Sequence, residues 1–223
     1  MNSNLKTLRV GRASILATLL LAAFVIIFNR EPLLRSAGWA LVVSEPISPV
    51  DIIVVSLDSG GAGALEAADL VQSGIARRVA VFMDPPSGED HEFIRRGLPY
   101  EDAGARQVRQ LRSLGVTDIV QIAKIDGTES QGHALAAWCS ENEFGSIAFV
   151  ATTDHSRRVQ RVLGRAFEGY RTRIVIQPAR HSSFDPDRWW ESRGGIRIAI
   201  IESQKLLLDI VSHPGSLGFR WSE

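Results

Sequence analysis

Short apolar runs rich in β-branched residues recur along the chain at 51–57, 78–83, 118–123, 146–151 and 173–176. Between them lie stretches with helical periodicity, clearest where Val159, Val162, Leu163, Ala166, Phe167 and Tyr170 fall three or four residues apart while Arg157, Arg158, Arg161 and Arg165 take other faces. Nearly continuous apolar strands alternating with helices are what a parallel sheet covered on both faces requires. The pattern therefore predicts an α/β domain over 50–213 with a mainly parallel sheet of about five strands. His155 lies four residues before Val159 and continues the sheet-facing stripe by one turn. That places it beside the carboxyl end of the strand at 146–151, the edge where open α/β sheets bind ligands.

One apolar stretch has neither period. Residues 13–28 are aliphatic or phenylalanine apart from Ser14 and Thr18, and with their flanks they approach the roughly 20 residues that cross a bilayer core. A small-x-small cleavage signal does not follow; Asn29-Arg30-Glu31-Pro32 does, so a retained signal anchor is favoured over a cleaved signal peptide. Lys6, Arg9 and Arg12 precede it, and the positive-inside bias then puts the N-terminus in the cytoplasm and the domain outside, in the periplasm of a Gram-negative cell. The expected organisation is a short basic segment over 1–12, a single-pass transmembrane anchor in the inner (cytoplasmic) membrane over 13–29, a juxtamembrane connector over 30–49, the α/β domain and a tail over 214–223.

Length and charge narrow the function. At 223 residues the chain holds one ordinary domain plus an appendage, and with 25 basic and 25 acidic residues it offers no whole-protein case for binding nucleic acid. The lone Cys139 makes no intramolecular disulfide and reads as a small core residue.

Three loops at the predicted strand ends carry chemistry. The segment 152–158 puts Thr152, Thr153, His155 and Arg158 at a helix start, where free backbone N–H groups favour an anion and a guanidinium adds a bidentate fork. Thr153 or Asp154 serves there as an N-cap in any case. The first strand runs into Asp58, Ser59, Gly60 and Gly61, a turn that either cradles a phosphate or simply needs glycine; it matches neither G-x-G-x-x-G nor a Walker loop. The third strand ends before Thr128, Ser130 and His133, again small and polar groups ahead of a helix. His155 and His133 are the candidate proton-transfer groups. The histidines show no metal-binding spacing and no G-x-S-x-G elbow is present, so neither a metal nor a cofactor is expected.

Several of these segments together resemble one family. The strand DIIVVSLDSGG, the turn GTESQGHA, the run VATTDHSRRVQRVL and the late RWWESRGGIRIAIIESQKLL look like the YdcF-like family of SanA- and ElyC-type envelope factors, over about residues 40–210. The most specific match is Thr152, His155 and Arg158; the next is Trp190, Arg197, Glu202 and Lys205. The resemblance implies a Rossmann-like three-layer sandwich with a polar pocket at the strand ends and a role in cell-envelope biogenesis. It also brings Trp190 and Glu202 into the candidate ligand-binding set. Trp189 and Trp190 read otherwise as packing aromatics. Glu202, Lys205 and Asp209 form either a solvated stripe or, as the resemblance implies, a set in which Glu202 turns inward to a pocket cation such as Arg158. Family members commonly carry an arginine after the first glycine-rich loop, where this chain has Ala64-Leu65-Glu66. Two functions remain: an enzyme acting on a phosphorylated or lipid-linked envelope precursor, and a non-catalytic envelope module that binds such a ligand to recruit or regulate partners.

Overall fold

The computed structural model describes residues 30–218; the basic N-terminal segment, the predicted anchor over 13–29 and residues 219–223 lie outside the described residues. In chain order the elements are α1 (Arg30–Trp39), β1 (Ile52–Val55), α2 (Gly60–Gln72), β2 (Arg78–Met83), α3 (Gly88–Arg95), α4 (Ala103–Ser113), β3 (Asp118–Ala123), α5 (Thr128–Glu141), β4 (Ser146–Thr152), α6 (Ser156–Ala166), β5 (Arg173–Ala179) and α7 (Arg193–Ser212). Among them no helix is long and apolar enough to cross a membrane.

β1 is four aliphatic residues, all fully buried, because it lies at the centre of a five-stranded sheet of order β3-β2-β1-β4-β5 in which every pair is parallel. Alternate side chains point to opposite faces. Ile52 and Val54 join Leu135, Cys139, Val159, Leu163 and Phe167 beneath α5 and α6. Ile53 and Val55 join Ala64, Ala67, Val108 and Leu111 beneath α2 and α4. Each buried valine, leucine, isoleucine or phenylalanine among them contributes roughly 1.5–3 kcal/mol on leaving water, and the alanines less. Burial pushes the Cys139 thiol up to about 12.

The strands differ from the sequence pattern at their ends. β1 stops at Val55 because Leu57–Ser59 wind into a 3-10 turn that feeds α2 directly, so Gly60 and Gly61 form the first turn of that helix rather than a loop before it. β5 continues through Pro178 to Ala179. It is an edge strand, where a missing N–H is tolerated.

Residues 40–49 belong to the domain. Leu41, Val42 and Val43 are buried, and Glu45 accepts from Ile176 N at 2.8 Å and Gln160 Nε2 at 2.6 Å, covering the open edge of β5. Val43 N donates to Ser156 Oγ at 2.8 Å, and Arg157 N donates to Leu41 O at 3.1 Å. The Arg157 guanidinium donates to Ala40 O and Val42 O.

Candidate functional site

Because all strands run the same way, the turns after β1, β3 and β4 share one edge of the sheet. The chain order reverses between β1 and β4, and there the sheet opens a cavity of about 200 Å3. Leu135, Phe149, Val159 and Leu163 form part of its apolar wall, while Asp58, Lys124, Thr128, Gln131 and His155 supply polar groups.

His155 ends the 3-10 turn Thr153–His155 and is 7% exposed. Its Nδ1 lies 3.3 Å from Glu202 Oε2, and among the described residues its Nε2 has no hydrogen-bond partner. Glu202 comes from the inner side of α7 and is equally buried. Arg158 Nε donates to the same Oε2 at 3.2 Å, and Lys205 Nζ donates to Oε1 at 2.7 Å. Burial pushes the Glu202 carboxyl up, but the bonds from His155 and Lys205 and the Arg158 charge outweigh it and hold the group at about 2. Glu202 is therefore a carboxylate across the working pH range. A carboxylate on Nδ1 favours a proton on that nitrogen and leaves Nε2 as the ring atom free to meet a ligand, on a residue that lines the cavity.

Facing His155 across the cavity is the start of α5. Gly127 occupies the N-cap position at φ 88°, a left-handed conformation that suits glycine, and no side chain caps the helix. Arg158 Nη1 reaches Thr128 Oγ1 at 3.5 Å, a long contact that ties the two walls. Lys124, the first residue after β3, donates to Asp84 at 2.6 Å. That bond holds its ammonium above the ordinary value, and Asp126 and Asp58 add to it.

The site is thus narrower than the sequence reading. His155, Thr128 and Asp58 line it, while Glu202 and Arg158 stand outside its wall, Glu202 bonded to His155 and Arg158 to Glu202, with Arg158 on the neighbouring groove that shares Thr128. The start of α6 does not offer an anion site, because the Leu41–Val43 segment already occupies it: Arg157 N and Ser156 Oγ are bonded there, with Ser156 Oγ also donating to Thr153 O. Thr153 spends its hydroxyl on Ala179 O and Ser182 Oγ, which pins β4 to β5. Thr152 is half-buried at the end of β4, two residues before Asp154, whose carboxyl burial pushes up, with Glu202 adding to the rise.

Of the glycine-rich turn only Asp58 lines the cavity; Ser59, Gly60 and Gly61 do not. Ser59 Oγ donates to Ser56 O at 2.6 Å, Gly60 O accepts from Gln107, and Gly61 faces Gln110 between α2 and α4. His133 is exposed and absent from the cavity wall: Gly132 and Leu135 take the inward positions of α5, and His133, one residue on, turns away. Ser130 is exposed on a neighbouring groove with Arg158 and Lys205. Trp190 stacks edge-on against Trp189, whose Nε1 donates to Leu34 O, and both stand outside the cavity.

Lys124 and Gln131 are cavity residues that motif reading missed. Their position was the available signal, since Lys124 follows directly on the end of β3 and Gln131 lies in the first turn of the helix after it. Glu129, Asp209 and His213 also bring possible metal-ligand atoms within 4.8 Å of one another. Their carboxylates are already taken, Asp209 by Arg161 and Arg165 and Glu129 by Arg165. No family model, curated protein or solved structure matches the chain.

Proposed function

We propose that this protein is a membrane-anchored, extracytoplasmic YdcF-like envelope factor with a Rossmann-like fold, whose cavity takes a phosphorylated or lipid-linked precursor and whose His155 moves a proton at the bound group. The observation that carries the reading is the buried His155 imidazole, anchored through Nδ1 by Glu202, with Nε2 unpartnered on a cavity whose opposite wall is an uncapped helix start. The first N–H groups of α5 and the Arg158 guanidinium supply donors for an anionic group. The apolar wall suits a hydrocarbon portion, and Asp58 and Gln131 suit hydroxyls. In this arrangement Nε2 acts as general acid or base and the helix start stabilises charge on the anion.

The test is to titrate inorganic phosphate, then geranyl phosphate, into the isotope-labelled full chain in detergent micelles. The His155 imidazole and the Thr128 amide are expected to shift together, with tighter binding of geranyl phosphate. Shifts confined to other residues would refute the site. Because Glu202 also satisfies Arg158 and Lys205, a binding-only module is the second reading. His155→Gln separates the two: retained ligand binding with lost restoration of envelope integrity in cells lacking the protein supports proton transfer, and retention of both supports binding alone.

A further inference from the structure

Among the described residues nothing covers the outer face of α7, which carries most of the helix's exposed apolar side chains. Ile196, Ile200, Leu207 and Val211 recur at helical spacing with Leu208 beside them, and the last three are 62%, 69% and 67% exposed for Leu207, Val211 and Leu208. The inner face of the same helix is turned to the fold through Gly195, Ala199, Glu202 and Asp209. Exposed Ser203 and Gln204 separate Ile200 from Leu207, so the apolar surface is densest at Leu207, Leu208 and Val211, and a soluble surface does not ordinarily keep such a patch in water.

We propose that this face lies on an anionic bilayer surface, making α7 an interfacial helix that is pressed between membrane and fold. The inference rests on the reading of residues 13–28 as a membrane anchor. Three observations select lipid as the occupant. The apolar run ends at Phe28, and α1 begins at Arg30. α1 is bonded to the segment leading into α7: Trp189 Nε1 donates to Leu34 O at 2.7 Å, Trp39 Nε1 donates to Asp187 at 2.9 Å, and Gly38 sits so close to Pro186 O that a Cβ would lie 2.3 Å from it. Ten helical residues span about 15 Å, so a chain leaving the bilayer at residue 28 brings the start of α7 to within about that distance of the surface.

The charges agree with an anionic partner. Both acids of α7, Glu202 and Asp209, are buried in ion pairs, Glu202 with Lys205 of the same helix among its partners, whereas Arg193 and Arg197 are exposed. An apolar stripe flanked by basic residues is the composition of helices that lie in the plane of a membrane interface. Since Glu202 sits on the opposite side of α7 from the stripe, the cavity stands about one helix diameter, roughly 10 Å, from the lipid.

The experiment uses the full chain in phosphatidylglycerol–phosphatidylcholine vesicles. Spin labels are placed by Leu207→Cys, Val211→Cys, Leu20→Cys in the apolar run and Arg112→Cys on α4; Cys139 is fully buried and its thiol is unreactive. The labels at 207 and 211 are expected to meet dissolved oxygen more than a water-soluble nickel complex, with the order reversed at 112. Removing phosphatidylglycerol should reduce the effect. Lipid contact at 20 with water contact at 207 and 211 overturns the proposal and leaves the anchor standing. Water contact at all positions overturns both. Labels at 207 and 211 shielded from both reagents, in vesicles and in detergent alike, mean that protein covers the face, and dipolar broadening there identifies a second copy; either result overturns the proposal.

Discussion

Replacing Glu202 by glutamine tests whether one buried carboxylate organises the site. The side chain keeps its shape but loses the charge that faces His155, Arg158 and Lys205. In the folded protein the carboxyl sits at about 2 against an ordinary 4.5. At 1.36 kcal/mol per pKa unit the charged form stabilises the fold by about 3 kcal/mol at neutral pH. A depressed carboxylate pKa contributes above the unfolded value and fades as pH falls through the folded one. The contribution is therefore complete at pH 7, begins to fall near pH 4.5, is about 1 kcal/mol at pH 3 and vanishes below 2. Urea denaturation followed by tryptophan fluorescence, on the full chain in mild detergent from pH 7 to pH 3, measures both proteins. Glu202→Gln is expected to lose about 3 kcal/mol at pH 7 and to converge on the wild type towards pH 3. A deficit of the same size at every pH would show that packing, not charge, is what the substitution removes. No deficit at pH 7 would show that the cations do not depend on this carboxylate.

Asp209→Ala strips the partner from Arg161, which is itself 7% exposed, and should cost roughly 3–5 kcal/mol in the same unfolding assay. Adding Arg161→Met should recover much of that loss; no recovery would mean that the pair is not the source. Gly104→Ala puts a Cβ 2.1 Å from Phe82 O and should destabilise by on the order of 2 kcal/mol, read as a lower urea midpoint. Gly194→Ala meets nothing within 4 Å in the first turn of α7 and should be neutral or raise stability by up to about 1 kcal/mol.

The sheet was legible because its signal is long and redundant. A buried parallel strand has an apolar centre with no alternation, so the runs at 51–57, 146–151 and 173–176 announce strands over Ile52–Val55, Ser146–Thr152 and Arg173–Ala179, and the inward stripe of α6 follows from spacing alone. Strand ends were less legible: whether Ser56 to Ser59 continue a strand or coil into a helix depends on Gln107, far along the chain, whose Nε2 gathers the carbonyls of Ser56 and Gly60. The site was partly legible for the same reason. His155 lies on the predicted stripe, but the occupant of the α6 helix start comes from Leu41–Val43, more than a hundred residues away, in a segment that reads only as a connector. His133 shows the complementary limit: composition places it beside the loop, and one residue of helical rotation takes it out.

The two ends of the cavity differ in charge, and this decides where an anion binds. At one end Lys124 is bonded to Asp84 with Asp58 and Asp126 near it, so its ammonium is already outnumbered by carboxylates. At the other, the uncapped start of α5 adds partial positive charge beside Thr128, and Arg158 reaches that threonine from the adjoining groove, where it shares Glu202 with Lys205. A phosphate therefore belongs at the Arg158 end. One charge-assisted hydrogen bond contributes roughly 1.5–3 kcal/mol, which corresponds to about a tenfold or greater loss of affinity for Arg158→Met. Lys124→Met should change affinity by less than about threefold, because exposed paired lysines contribute little. Isothermal titration with inorganic phosphate and geranyl phosphate at two salt concentrations measures the ranking. The loss in Arg158→Met should shrink at high salt, where a partly exposed charge is screened. A larger loss in Lys124→Met than in Arg158→Met would reverse the polarity of the cavity and move the anion away from His155, and His155 would then have no charged group to act upon.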